Sequence, residues 1–128
     1  MRIEKFIKTG IIFCLTAVIL GAFGAHTLKQ VLTENQLNSF QTGINYQFLH
    51  GLAILILSLN ATHFTDRLNT LLKMMSAGVI LFSFSIYLLT LQHILGISLS
   101  FLGPITPIGG LLIIGSWVLL FFSIKKQD

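Results

Sequence analysis

From Met74 to Ile124 the chain runs for 51 residues without one Lys, Arg, Asp or Glu. Gly103, Pro104, Pro107, Gly109 and Gly110 interrupt that run near its middle. A soluble domain of this size would have to hide the whole stretch from water. A bilayer takes about 20 apolar residues per helical crossing, so the run reads as two crossings joined by a Gly/Pro loop.

The rest of the chain agrees. Only 9% of its 128 residues are charged and 54% are hydrophobic, with a mean hydropathy of +0.87; soluble domains carry about 25% charge. The fold class is therefore all-α, an integral membrane four-helix bundle. It is a single transmembrane domain spanning residues 1–128, too short for a separate soluble catalytic unit. The expected crossings are residues 9–28, 43–59, 74–94 and 107–124. Residues 33–42, polar with scattered leucine and phenylalanine, read as a short interfacial helix with Thr33 as its N-cap. Arg2, Lys5 and Lys8 followed by an apolar run also describe a secretory signal, and Ala22-Phe23-Gly24 resembles a weak cleavage site. The run exceeds a usual signal core, so an uncleaved first helix is the expectation.

The net charge of +4 is sparse and sits at the ends of the apolar segments. With the N-terminus inside, Arg2, Lys5, Lys8, Arg67, Lys73, Lys125 and Lys126 lie on the cytoplasmic side and Lys29 alone outside. That count favours four crossings with both termini cytoplasmic. No basic face of the kind that binds nucleic acid is present. The expected partners are the lipid bilayer and other membrane proteins or a second copy of the chain. Cys14 is the single cysteine, lies inside an apolar run and is expected to be an inert thiol.

Polar residues within crossings are costly and face the bundle interior. His26, Tyr46, Gln47, His50, Tyr87, Thr90, Gln92, His93 and Thr106 are all expected in the outer half. Ser76, Ser83, Tyr87 and Thr90 form one helical stripe, and Tyr46 and His50 share a face. Two readings follow: a small polar pocket opening outward beneath the Gly/Pro loop, or an interhelical hydrogen-bond network. The second carries more weight, because Ser, Thr, Tyr and His commonly bond across helices. Ala17, Gly21 and Ala25, widened by Gly24, make a small-residue strip for close packing on another helix. His26, His50 and His93 lack any Cys, Asp or Glu companion, so neither a metal nor another cofactor is expected. No embedded ionisable chain suggests a proton relay, and no catalytic constellation is recognisable, so the chain is not expected to be an enzyme.

These pieces recur in a known order. Gly21-Ala22-Phe23-Gly24-Ala25-His26 ends the first helix, and Phe40-Gln41-Thr42 with Tyr46 and His50 opens the second. Leu81-Phe82-Ser83 with Ser85 and Tyr87 mark the third; Ile105-Thr106-Pro107-Ile108-Gly109-Gly110, then Gly115 and Trp117, mark the fourth. The sequence resembles the YgdD-like family of small four-helix bacterial membrane proteins, also called domain of unknown function 423. Phe84 stands where the family tends to have Gly, and Ser116 separates Gly115 from Trp117. The resemblance implies a multi-pass protein of the bacterial cytoplasmic membrane and brings no substrate, cofactor or catalytic residue. The function expected is a non-enzymatic structural or interaction membrane protein. The alternative is a small-molecule binding or transport subunit whose outward pocket gathers His26, Tyr46, His50, Ser83, Tyr87 and Thr106 beside Pro107, Gly109 and Gly110.

Overall fold

The computed structural model describes residues 2–128, and of Ala25 the backbone alone. Among the described residues four helical spans are long and apolar enough to cross a membrane: Ile3–Gly24, Glu34–Leu59, Arg67–Leu95 and Ser100–Phe121. Helices α1 (Ile3–His26) and α2 (Glu34–Leu59) form the first antiparallel pair. The third span consists of α3 (Arg67–Val79), a π-helical turn (Ile80–Phe84) and α4 (Ser85–Leu95). It packs on α5 (Ile105–Phe121), and α2 joins the two pairs. Of the most apolar stretch in each span, 44% of α2 and 39% of the third span are buried, against 22% and 17% for the first and fourth. The two middle spans are therefore the interior of the bundle.

The helices are longer than the apolar runs. α2 starts at Glu34, so residues 33–42 are not a separate interfacial helix. Thr33 is indeed an N-cap, but of α2 itself. Its Oγ1 accepts from Gln36 N–H at 3.2 Å while Gln36 Oε1 accepts from Thr33 N–H at 2.9 Å, a capping box that commits the polar segment to the helix behind it. At 1.5 Å per residue the 26 residues of α2 run about 39 Å, more than a hydrocarbon core of roughly 30 Å. α1 likewise begins among its lysines rather than at Thr9, burying Phe6 in the second turn. α4 stops at Gly96, whose φ of 70° is the left-handed cap that a side chain disfavours.

Both hairpins close through glycines. A Cβ on Gly10 would lie 2.8 Å from Gly51 O and 2.9 Å from Leu55 N, and one on Gly51 would lie 2.9 Å from Phe13 Cβ. Gly78 and Gly109 make the equivalent contact between α3 and α5, each Cβ falling within 2.9 Å of the other's carbonyl oxygen. Association in lipid depends on such close approach, since lipid tails are as apolar as leucine. Of the small-residue strip expected on α1, Ala17 is 1% exposed and Gly24 abuts the Phe40 ring. Gly21 is looser, with only Ile44 Cγ2 nearby at 3.9 Å, and the side chain of Ala25 lies outside the described residues. Phe6, Phe13, Ile54, Leu72, Met75 and Ile113 fill the interior of one half; Ala17, Phe40, Ile44 and Tyr87 fill the other. The outer surface stays apolar, with Phe23, Leu111 and Phe121 exposed as lipid-facing side chains should be.

The α2–α3 turn pairs with the C-terminal tail. Thr65 N–H donates to Ser123 O at 2.8 Å, Lys125 N–H to His63 O at 3.0 Å, and Arg67 Nη1 to Phe122 O at 3.1 Å. The N-terminal turns of α1 lie beside those of α3, around one groove. Arg2, Lys5, Lys8, Arg67, Lys73, Lys125 and Lys126 thus share one end of the bundle, and Lys29 lies at the other.

Candidate functional site: a saturated polar layer

Gln47, His50 and Tyr87 lie near mid-bundle rather than at an outer rim, while Thr106, His26 and His93 stay toward the helix ends. Tyr46 and Gln47 are the central residues of α2, because the helix begins nine residues before the apolar run does. Gln47 is the hub and is wholly buried. Its Nε2 donates to Phe13 O at 3.0 Å and to Thr16 Oγ1 at 2.6 Å, and its Oε1 accepts from Tyr87 O–H at 2.7 Å. The amide can face only this way, since a backbone carbonyl needs a donor. One glutamine therefore ties α1, α2 and α4 together.

A second arrangement lies one turn further along α2, about 60° around the helix from Gln47. Trp117 Nε1 donates to His50 Nε2 at 2.9 Å, and His50 Nδ1 lies 2.8 Å from Tyr46 O. Indole is a donor only, so Nε2 must be the unprotonated nitrogen and Nδ1–H donates to the carbonyl. His50 is thereby fixed as the neutral Nδ1–H tautomer, with both nitrogens occupied. The indole meets the imidazole edge-on at 5.8 Å, Tyr46 stacks on the imidazole, and Phe82 lies tilted against the Tyr46 ring at 4.7 Å.

The π turn carries a third link. Ser83 Oγ donates to Gly43 O at 2.8 Å, and Ser85 Oγ meets Thr106 Oγ1 at 2.5 Å. Gly109 packs directly against the Leu81–Phe82 backbone of that turn, where no larger residue fits. A Cβ on Gly43 would strike the Tyr87 ring, so this glycine lets the tyrosine reach Gln47.

The structure divides the residues singled out from sequence. His50, Ser83 and Tyr87 are buried, and each bonds to a different neighbour. Thr106 is half-buried on Ser85; Gly109 is buried, Gly110 half-buried and Pro107 exposed. Tyr46 is 43% exposed, and His26 and His93 are exposed at helix ends. Among the described residues no three His, Cys, Asp or Glu side chains gather as a metal site would require. The Leu95–Thr106 loop packs on α4 and α5, with Gln92 Oε1 accepting from Leu99 N–H, and does not cover the polar layer. Ser85 and Trp117, noted in the sequence only as marks of the resemblance, complete the network, and Thr16 joins it unforeseen. Thr16 stands in the middle of an uncharged run and Trp117 is the chain's one indole, which were the available signals.

Comparison with known proteins decides the family. The family described as "Protein of unknown function (DUF423)" matches residues 20–110. The chain belongs to this family. A "UPF0382 membrane protein" of Staphylococcus haemolyticus is 36% identical over 123 residues, covering 96% of this chain and 97% of its own length. The Bacillus subtilis "UPF0382 membrane protein YwdK" is 37% identical over 125 residues, covering 96% and 98%. A Staphylococcus aureus relative of the same description is 37% identical over 123 residues, covering 96% and 97%. No solved structure matches. Membership makes this a membrane protein of an uncharacterised family, as its apolar exterior requires.

Proposed function

We propose that the chain is a non-enzymatic multi-pass protein of the bacterial cytoplasmic membrane, both termini inside, that serves as a rigid structural or interaction element. One observation carries this reading: the buried groups able to do chemistry in the membrane are consumed in holding the helices together. Gln47 uses both amide hydrogens and its carbonyl, His50 uses both ring nitrogens, and Tyr87 is 5% exposed. A buried network with every member satisfied rigidifies and specifies a packing, whereas a reactive site keeps a group free for its substrate.

The test is His50→Phe, with the native chain alongside, after affinity purification from native membranes in mild detergent. A structural role predicts lower thermal stability and loss of copurifying membrane protein. A variant as stable as the native chain, with undiminished recovery of partners, defeats the reading. A small-molecule binder is the second reading, and its one favouring observation is a cleft at the Lys29 end. Asn35, Gln36 and Ser39 of α2 face Thr90 and Thr106 across it. Thr106→Val should abolish saturable ligand binding there if that reading holds.

A further inference from the structure

The charged end of the bundle carries a groove that the polar layer does not reach. It has a volume of about 420 Å³, within the roughly 300–1,000 Å³ typical of ligand sites. Arg2, Lys5 and Thr9 of α1 and its approach form one wall; Asn69, Lys73 and Ser76 of α3 form the other, over the buried Phe6 ring. Thr9 and Ser76 spend their hydroxyl protons on their own helices, at Lys5 O and Leu72 O. The donors facing the groove are therefore one guanidinium, two ammonium groups and the Asn69 amide. Among the described residues no lining residue is acidic; Glu4 lines a separate groove, which Arg2 and Lys5 share. Three cations, brought together from residues nearly seventy apart in sequence, give the groove a positive potential that attracts an anion.

Position narrows the anion. The groove is made by the first turns of two membrane-crossing helices, the depth at which headgroup phosphates of the surrounding bilayer lie. Basic pockets between crossing helices at this level suit phosphate headgroups, and guanidinium matches phosphate oxygens in pairs. A zwitterionic headgroup would bring its own ammonium against Lys5 and Lys73. We propose that this groove binds the phosphate of an anionic phospholipid, held by Arg2, Lys5 and Lys73 with Asn69 as a neutral donor. The site is independent of which side of the membrane the charged end faces.

The test uses the full chain in uncharged detergent, titrated separately with phosphatidylglycerol, phosphatidylcholine and inorganic phosphate, and read by thermal unfolding and native mass spectrometry. Phosphatidylglycerol should stay bound and raise Tm, while the other two do neither at equal concentration. Lys5→Gln with Lys73→Gln should weaken phosphatidylglycerol roughly thirtyfold, the effect of about two surface lysines. Lys125→Gln with Lys126→Gln removes the same charge from the same end and should change affinity less than about threefold. Equal weakening by the two pairs would show diffuse surface charge and overturn the proposal. So would equal binding of phosphatidylcholine, or saturable binding of inorganic phosphate that displaces the lipid. If the Lys5/Lys73 variant unfolds before lipid is added, Asn69→Asp is read instead, and undiminished binding there overturns the site.

Discussion

Tyr87→Phe with Gln47→Met forms a double-mutant cycle that tests whether the glutamine hub holds the bundle. Tyr87→Phe keeps the ring against Phe40, at 4.9 Å between centroids, and removes only the hydroxyl. It leaves Gln47 Oε1 buried without a donor. An unsatisfied buried acceptor costs about 1–3 kcal/mol, and interhelical bonds in membranes average about 0.6 kcal/mol with a maximum near 1.7. The expected loss is about 1.5 kcal/mol. Gln47→Met conserves length and orphans the Tyr87 hydroxyl instead. Phe13 O keeps its helical bond, and Thr16 Oγ1 still donates to Ile12 O at 2.8 Å, so the loss is about 2 kcal/mol. The double variant has neither orphan and should be less destabilised than the sum by about 1 kcal/mol. Reversible unfolding of the purified protein in mixed micelles, titrated with a denaturing detergent, measures all four corners. Additivity within about 0.3 kcal/mol would refute the hub.

Three further outcomes are expected. Gly10→Ala forces Cβ against the α2 backbone at Gly51 O and Leu55 N and should cost about 2 kcal/mol, while Gly21→Ala, with open space beyond 3.9 Å, should stay within about 0.5 kcal/mol by the same unfolding assay. Nitrogen NMR of labelled protein should find His50 as the neutral Nδ1–H tautomer at pH 7; in Trp117→Phe, which withdraws the indole donor, the Nε2 resonance should move markedly. A C-terminal fluorescent-protein fusion should be bright and an alkaline-phosphatase fusion inactive, because seven of the eight basic residues share the end that carries the C-terminus.

The bundle was legible in the sequence because lipid imposes one demand at every position: a helix must be apolar for about 20 residues or fail to cross. That rule found the four spans and, through the lysines, the end that both termini share. It could not find helix ends outside the apolar zone. Thr33 reads as a cap in the sequence, yet the helix it caps is α2 itself, which puts Gln47 and His50 at mid-bundle and not at an outer rim. Pair contacts were equally hidden. Gly10 and Gly51 lie 41 positions apart, and nothing local distinguishes them from Gly21, which packs loosely. Tyr87 and His50 stand out in the sequence for polarity and for their place in the family pattern, and neither signal names a partner. That one turns to Gln47 and the other to Trp117 depends on helix rotation, which hydropathy does not encode.

The π turn at Ile80–Phe84 bears on that rotation. Wider winding there takes up slack that an ordinary helix would have turned into further rotation. Winding the same five residues as ordinary α-helix would swing the segment beyond it by about 100°. Ser85, Tyr87 and Thr90 would leave their partners, although the segment would be almost unchanged in length and greasiness. A span so wound would enter the bilayer as readily as the native one and then fail to close. Along this span, entry into the membrane is written in composition, while assembly is written in a single residue's worth of twist.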